Sequence, residues 1–296
     1  MNKKLQISNY LTLMKPSIML LVLITGAGAL VWQGLLLQNI TVLNLIKFAV
    51  ILLALMLTGG SANAFNMYLE REIDAQMIRT KNRRPLPMGL IKPANALLFA
   101  IGIGVAGVLI FAIFFNLLSA MLSLATILFY SFFYTLFLKP RTPYNIVIGG
   151  AAGSMAPIIA WAAVANSMAI EPIILFAIIF LWTPPHFWAL ALYLRKDYET
   201  VNYPMMPVVR GDLATKKQIF FYVISLVIAS VACVWYGAGL LYLLIAIITG
   251  ALFIRKSYRM FKGANERARG LFGYSIIYLF AIFAALMLDK AINITL

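Results

Sequence analysis

The stretch LNLIKFAVILLALMLTGGSANAFNMYLEREIDAQMIRTKNRRP, Leu43 to Pro85, holds two kinds of chemistry side by side. Residues 43–69 carry a single charged side chain, Lys47, whereas residues 70–85 carry three acids and five bases. An apolar run of that length predicts a helix crossing a bilayer, which needs about 20 residues. The charge behind it predicts a polar mouth at one end of that helix.

Working outward, the rest of the chain repeats the first pattern. It is 63% hydrophobic and only 11% charged, with a strongly positive mean hydropathy, against about a quarter charged in an ordinary soluble domain. Too little polar surface remains to cover a water-soluble globule of 296 residues. Nine apolar runs reach spanning length, at about 17–37, 43–69, 94–114, 117–138, 143–165, 170–194, 217–237, 239–254 and 271–289. The second and sixth are expected to project beyond the hydrocarbon. The fold class is therefore an all-α polytopic membrane protein of about nine transmembrane helices. No separate soluble domain is visible, so residues 1–296 read as a single transmembrane domain, with helices 1–4 and 5–8 as a candidate pseudo-repeat plus a ninth helix.

A net charge of +15 could indicate nucleic acid, but the positions of the cations exclude that reading. Lys3, Lys4 and Lys15 precede the first run. Further basic groups follow the second (Arg71 to Lys92), fourth (Lys139, Arg141), sixth (Arg195 to Lys217) and eighth (Arg255 to Arg269). The alternate loops LLQNIT, FFNLLS, ANSMAIE and YGAG contain no Lys or Arg. This asymmetry predicts that the N-terminus and every even-numbered loop lie in the cytoplasm, as expected of a bacterial cell-membrane protein. The lone Cys233 offers neither a disulfide nor a thiolate metal site. The first run lacks a small-residue cleavage site and is expected to be a membrane helix, not a signal peptide.

The acids on the cytoplasmic side concentrate in the loops after the second and sixth runs. Four crossings separate these loops, so both emerge on one face and a site between them is expected. In the first, Asn66, Glu70 and Asp74 recur every four residues, a spacing that drifts only about 40° per step around a helix. Three oxygen-bearing side chains thus share a face. Converging oxygens suit Mg²⁺, which keeps waters and takes one or two carboxylates plus substrate phosphates. Arg79, Lys81, Arg83 and Arg84 follow, the type of group that neutralises a diphosphate. A plain membrane juncture would also be charged, but topology needs only two or three cations, and it gives no reason for three oxygens on one stripe.

The second loop segment, FLWTPPHFWALALYLRKDYETVNYPMMPVVRGD, holds the only histidine, His186. Pro184 and Pro185 are expected to break the helix just before it. Ionisable groups inside a membrane are candidate functional sites, and imidazole is a common iron ligand. Asp197, between Lys196 and Tyr198, is placed to complete a metal site from the opposite half.

At these residues the chain resembles the UbiA superfamily of intramembrane prenyltransferases, and within it the branch that acts on haem. The superfamily's Asn-x-x-x-Asp-x-x-x-Asp motif reads Asn66, Glu70, Asp74 here. The strings DAQMIRTKNRRPLPMG, KPRTPYNIVIGGAAGSMAPIIAW, FLWTPPHFWALALYLRKDY and YPMMPVV carry the narrower likeness over nearly the whole chain. The resemblance implies a helical bundle around a central cavity capped by polar cytoplasmic loops. It implies farnesyl transfer from farnesyl diphosphate to the 2-vinyl group of haem b, with water added. Mg²⁺ would be held by Asn66, Glu70, Asp74 and Asp197, and the leaving charge met by Arg79, Lys81, Arg83, Lys139 and Arg195. Asn63 and His186 would face haem, His186 as an axial ligand or a polar contact. Haem A synthase or a terminal oxidase assembly would be the protein neighbours. Two departures stand out. Glu70 replaces the usual Asp, and the second motif reads Tyr193-x-x-x-Asp197, one carboxylate short for a second Mg²⁺.

The chemistry is consistent with these residues. Ionising an allylic diphosphate leaves an anion, which metal and Arg stabilise, and a carbocation, which aromatic faces stabilise by about 0.5–2 kcal/mol each. Within FYSFFYTLF, Phe129 to Phe137, Tyr134 is the expected wall residue. Two alternatives remain, a superfamily member with a quinone or chlorophyll-type acceptor and a secondary transporter. The TPPHFW string argues against the first. Acids at helix ends instead of mid-membrane argue against the second.

Overall fold

The computed structural model describes residues 3–37 and 40–293. Gln38 and Asn39 of the first uncharged loop, and the side chains of Lys3 and Lys4, lie outside what is described. Among the described residues all regular structure is helical. Among the described residues nine helices are long and apolar enough to cross a membrane: Pro16–Gln33, Val42–Leu69, Pro93–Phe114, Leu117–Leu138, Asn145–Ala165, Ile170–Tyr193, Gly211–Tyr236, Leu240–Phe261 and Arg267–Ile292. The number and order agree with the sequence reading; the last three run further into the charged loops than apolarity alone indicates. Leu98, Ile113, Phe114, Phe221 and Ile277 are exposed, as a lipid-facing surface requires.

Three crossings depart from simple helices, and each departure positions something. Before the first, the helix Lys3–Leu13 stops, Lys15 takes a left-handed conformation (φ 55°), and Pro16 opens the crossing. Proline suits a first helical turn and keeps the residue before it out of the right-handed helical region. The fourth crossing is α-helical over Leu117–Leu128 and then π-helical over Phe129–Leu138. The fifth is interrupted between Asn145–Gly153 and Ala156–Ala165, with Pro157 in the first turn of the second piece.

The sixth crossing corrects an expectation. Pro184 and Pro185 do not break it; one helix runs from Ile170 to Tyr193. In a membrane bundle a proline-containing helix is held by its neighbours. Thr183 donates to the Ile179 carbonyl at 2.8 Å, and both prolines are buried. On the far side of the bundle, Tyr242 and Tyr278 both donate to Ser230, at its carbonyl (2.9 Å) and its hydroxyl (2.8 Å), locking the seventh, eighth and ninth crossings together.

Candidate active site

The second crossing is 28 residues long, about 42 Å at 1.5 Å per residue, against a hydrocarbon core of about 30 Å. Its charged end therefore projects, and the projecting turn carries the stripe. Helical hydrogen bonding continues through it, with Glu70 N–H donating to the Asn66 carbonyl at 3.0 Å and Asp74 N–H to the Glu70 carbonyl at 2.8 Å. Asn66, Glu70 and Asp74 are all buried.

Each of the three oxygen groups has its own cation. Lys15 Nζ donates to Asn66 Oδ1 at 2.7 Å, Lys139 Nζ to Glu70 Oε1 at 2.5 Å, and Arg84 Nη1 to Asp74 Oδ2. Arg84 also lies 3.8 Å from Glu70 Oε2. Tyr203 OH donates to Glu70 Oε1 at 3.4 Å, while Asn66 Nδ2 donates to the Thr135 hydroxyl at 3.2 Å. Burial works against charge throughout. At Glu70 it is outweighed by Lys139, Lys15 and Arg84, which hold the carboxyl below its usual range. At Asp74 burial prevails, together with the Glu70 charge, and the pKa is raised despite Arg84. Burial and Arg84 push Lys15 well below the ordinary lysine value. Burial and the Glu70 charge raise Tyr203. Three basic side chains thus converge on two carboxyl groups in one buried mouth.

The loop after the sixth crossing meets this mouth. Asp197 Oδ1 accepts from Ile78 N–H at 2.7 Å and Oδ2 from Arg79 N–H at 3.2 Å, bridging 119 and 118 residues of sequence. Both oxygens therefore serve the N-terminus of the short helix Ile78–Lys81, where a carboxylate is electrostatically favoured. Among the described residues no three His, Cys, Asp or Glu side chains are grouped to hold a metal ion. Through these two bonds Asp197 anchors the first loop. The anchor fixes Arg79, whose guanidinium carbon lies 5.9 Å from the Tyr198 ring centroid and whose buried Nε has no partner. A buried, unpaired donor on a cation is an open position for an anionic acceptor.

Beneath the mouth sits the π-helical segment. Tyr134 is buried, its ring centroid 5.2 Å from that of Tyr130. It presses on the fifth crossing at Gly149, where a Cβ would lie 2.1 Å from Tyr134 Cδ2. Only glycine permits that approach. The shifted register shows in Thr135, whose hydroxyl donates to the Tyr130 carbonyl at 2.8 Å, and in Lys139 N–H, which donates to the Tyr134 carbonyl at 2.9 Å. Lys139 also lies 4.9 Å over the Tyr203 ring.

His186 is held apart from this cluster, between the sixth and ninth crossings. Its ring stacks on Trp182 (4.2 Å, 20°) and on Phe272 (4.5 Å, 28°), and Nδ1 pairs with the Ser275 hydroxyl at 2.7 Å. Trp182 Nε1 donates to the Ser275 carbonyl at 2.7 Å. Asn63 has other partners, donating to the Met14 carbonyl at 3.1 Å and approaching Met19 Sδ at 3.5 Å.

The remaining predicted cations divide. Lys139 is at the stripe, whereas Lys81 and Arg83 are exposed. Arg195 pairs with Glu199 (2.7 Å) and Asp212 (2.9 Å) at the surface. Lys15, Thr135 and Tyr203 join the stripe without having been singled out for it, and Arg84, named among the diphosphate cations, pairs with Asp74. For Lys15 the available signal was the Lys-Pro step at the head of the first crossing; for Tyr203 it was an aromatic in the polar loop that also carries Asp197.

Comparison with known proteins places this geometry in a family. Residues 16–288 match the model of the UbiA prenyltransferase family. The chain is similar to the protoheme IX farnesyltransferase of Erythrobacter litoralis, 45% identical over 289 residues, covering 95% of this chain and 92% of that protein. It is likewise similar to that of Synechocystis sp., 43% identical over 286 residues, covering 95% and 89%. Among solved structures, a digeranylgeranylglyceryl phosphate synthase superposes with a TM-score of 0.78 at 19% identity, covering 97% of this chain and 99% of that one. A UbiA homologue from Archaeoglobus fulgidus bound to DMAPP and Mg²⁺ gives 0.64 at 15% identity, covering 94% and 99%. Nine crossings, a buried stripe at the projecting end of the second and relatives matching nearly end to end lead to one statement: the chain belongs to the UbiA prenyltransferase family.

Proposed function

We propose that the chain transfers a farnesyl group from farnesyl diphosphate to the 2-vinyl group of haem b, with one water adding to the vinyl carbon left cationic and losing a proton, yielding haem O and diphosphate. The observation that carries the reading is the buried mouth in which Asn66, Glu70 and Asp74 each meet a separate cation. The names of the relatives supply the acceptor. The donor set suits Mg²⁺, since two carboxylates and an amide oxygen leave the other positions to water and phosphate, and Arg79 Nε stands unpaired for an anion. Asn66, Glu70 and Asp74 would hold the ion, with Asp197 joining only through lone pairs its two amide partners leave free. Bound there, Mg²⁺ supplies electrostatic stabilisation of the departing diphosphate.

The chain's own groups do the rest. Lys15, Lys139 and Arg84 give up stripe oxygens and turn to phosphate oxygens, while Arg79 adds its unpaired Nε–H; Lys81, Arg83 and Arg195 contribute from the rim. Tyr134 offers a ring face to the allylic cation, and the apolar bundle below keeps bulk water from it. His186 is proposed to meet haem through Nε2, because Nδ1 is engaged by Ser275; Asn63 would be a further polar contact. The basic loops assign the N-terminus and even-numbered loops to the cytoplasm, where a soluble diphosphate reaches the mouth. Purified protein given farnesyl diphosphate, Mg²⁺ and haem b should convert the haem to a heavier, more hydrophobic product, identified by mass. Donors of different chain length then test the prenyl group. Consumption of the donor only when a quinone replaces haem b would overturn the acceptor, and uptake with no product would overturn the enzyme.

A further inference from the structure

A second concentration of charge lies away from this mouth, where the eighth crossing ends and the ninth begins. Residues 255–269 carry six cations, Arg255, Lys256, Arg259, Lys262, Arg267 and Arg269, against one acid, Glu266. Topology needs far fewer. Lys256, Arg259 and Arg267, with Gly270 and Leu271, line a cavity of about 520 Å³. Among the described residues no carboxylate pairs with any of these three cations.

The cavity is built, not merely charged. Arg267 Nη1 donates to the Arg259 carbonyl at 2.8 Å, fixing its guanidinium over the end of the eighth crossing. Gly263 makes this possible, since a Cβ there would lie 2.8 Å from Arg267 Nη1 and 2.9 Å from the Arg259 oxygen. Lys216 Nζ from the seventh crossing holds the turn through the Gly263 carbonyl at 2.7 Å. Lys256 Nζ stands 5.3 Å over the Tyr274 ring. Leu271, only 2% exposed, supplies an apolar floor. A cationic cavity with an apolar floor, at the end of two membrane-crossing helices, matches a phosphate bearing two acyl chains better than a freely soluble anion. Basic pockets between helices on this side of a membrane take anionic lipid headgroups.

We propose that Lys256, Arg259 and Arg267 form a binding site for the phosphate headgroup of an anionic phospholipid, separate from the diphosphate mouth. The test is native mass spectrometry of the full-length protein titrated with dioleoyl phosphatidylglycerol, dioleoyl phosphatidylcholine or inorganic phosphate. Phosphatidylglycerol should bind at lower concentration than phosphatidylcholine. Replacing all three cations by Gln should weaken it about 100-fold, from about fivefold per cation near an anionic headgroup. Arg255→Gln with Lys262→Gln and Arg269→Gln removes the same charge outside the cavity and should weaken it less than about fivefold. Should the cavity triple variant fail to fold, Lys256→Gln alone, at a side chain with no hydrogen bond to hold, should still lose about fivefold. Equal binding of both lipids, equal weakening in the two triple variants, no weakening in Lys256→Gln, or displacement of the lipid by equimolar inorganic phosphate would each overturn the proposal.

Discussion

Asp197→Asn separates two roles for that carboxylate, anchor and metal ligand. In the structure its two oxygens accept from Ile78 N–H at 2.7 Å and Arg79 N–H at 3.2 Å. Asparagine keeps one acceptor oxygen and turns an NH₂ toward the other amide, so one charge-assisted bond disappears and the other becomes neutral. Hydrogen bonds to charged groups contribute about 1.5–3 kcal/mol, so the ordered state of Ile78–Lys81 should weaken by about that much. If Arg79 must be placed before a prenyl diphosphate binds, the same energy appears in binding, at 1.4 kcal/mol per factor of ten: roughly a ten- to hundredfold rise in KM. A prenyl-transfer assay saturated in both Mg²⁺ and donor should then recover kcat to within about threefold, the signature of a binding-only loss. Amide hydrogen exchange at Ile78 and Arg79 should accelerate in the ligand-free variant. A kcat that collapses at saturation with KM unchanged would refute the anchoring argument and restore Asp197 to the metal.

Asp74→Ala should abolish turnover, by about 100-fold or more, as for loss of a group stabilising developing charge, while the elution profile in detergent stays that of the parent; normal turnover would make the stripe decorative. Chelating Mg²⁺ should stop prenylation yet shift Tm by less than about 1 °C, a change worth under about 1 kcal/mol for a chain of this size, because Lys15, Lys139 and Arg84 already satisfy the stripe; a large drop in a thermal melt would mean that the metal is structural. His186→Ala should weaken haem binding, read from the Soret titration, by at least about tenfold more than it weakens prenyl diphosphate binding, the scale of one lost ligand or polar contact; equal losses would count against a haem role. Gly149→Ala drives a methyl to within 2.1 Å of the Tyr134 ring and should cost about 1–3 kcal/mol as an overpacked core does, seen as a lower Tm, and an unchanged melt would mean that the ring does not press there.

The crossings were legible because length and apolarity are local properties, readable without knowing any partner. The Asn66–Glu70–Asp74 stripe was legible for the same reason, since a four-residue period needs only the helix itself. What escaped the sequence was how distant groups pair. Lys15 reaches Asn66 across 51 residues, and it does so from a left-handed conformation just before Pro16. Arg84, not Arg83, faces Asp74, because the short helix Ile78–Lys81 and the turn after it set a register that Asp197 holds from another loop. The π-helix at Phe129–Leu138 has an ordinary aromatic membrane composition, and its shifted hydrogen bonds accompany the contact of Tyr134 with Gly149. Pro184 and Pro185 misled because proline's cost was judged as for a helix in water, whereas here the surrounding bundle holds the helix together.

These cross-chain pairings carry a consequence for the order of binding. A buried carboxylate stripped of its partner costs about 3–5 kcal/mol, so Glu70 and Asp74 cannot release Lys139 and Arg84 without a replacement. The cations in turn cannot move away without an anion to receive them. On the proposed function, metal and diphosphate should therefore favour one another's binding, each supplying the partner that the other displaces, and neither alone should bind as tightly as both together. The ion pairs should then persist until the complete magnesium diphosphate arrives. The mutual support is tested by measuring prenyl diphosphate affinity with and without Mg²⁺ in the parent and in Lys139→Met, where the exchange has lost one of its partners and the gain from Mg²⁺ should change. An identical gain in both would show that the ion pairs and the ligands do not compete.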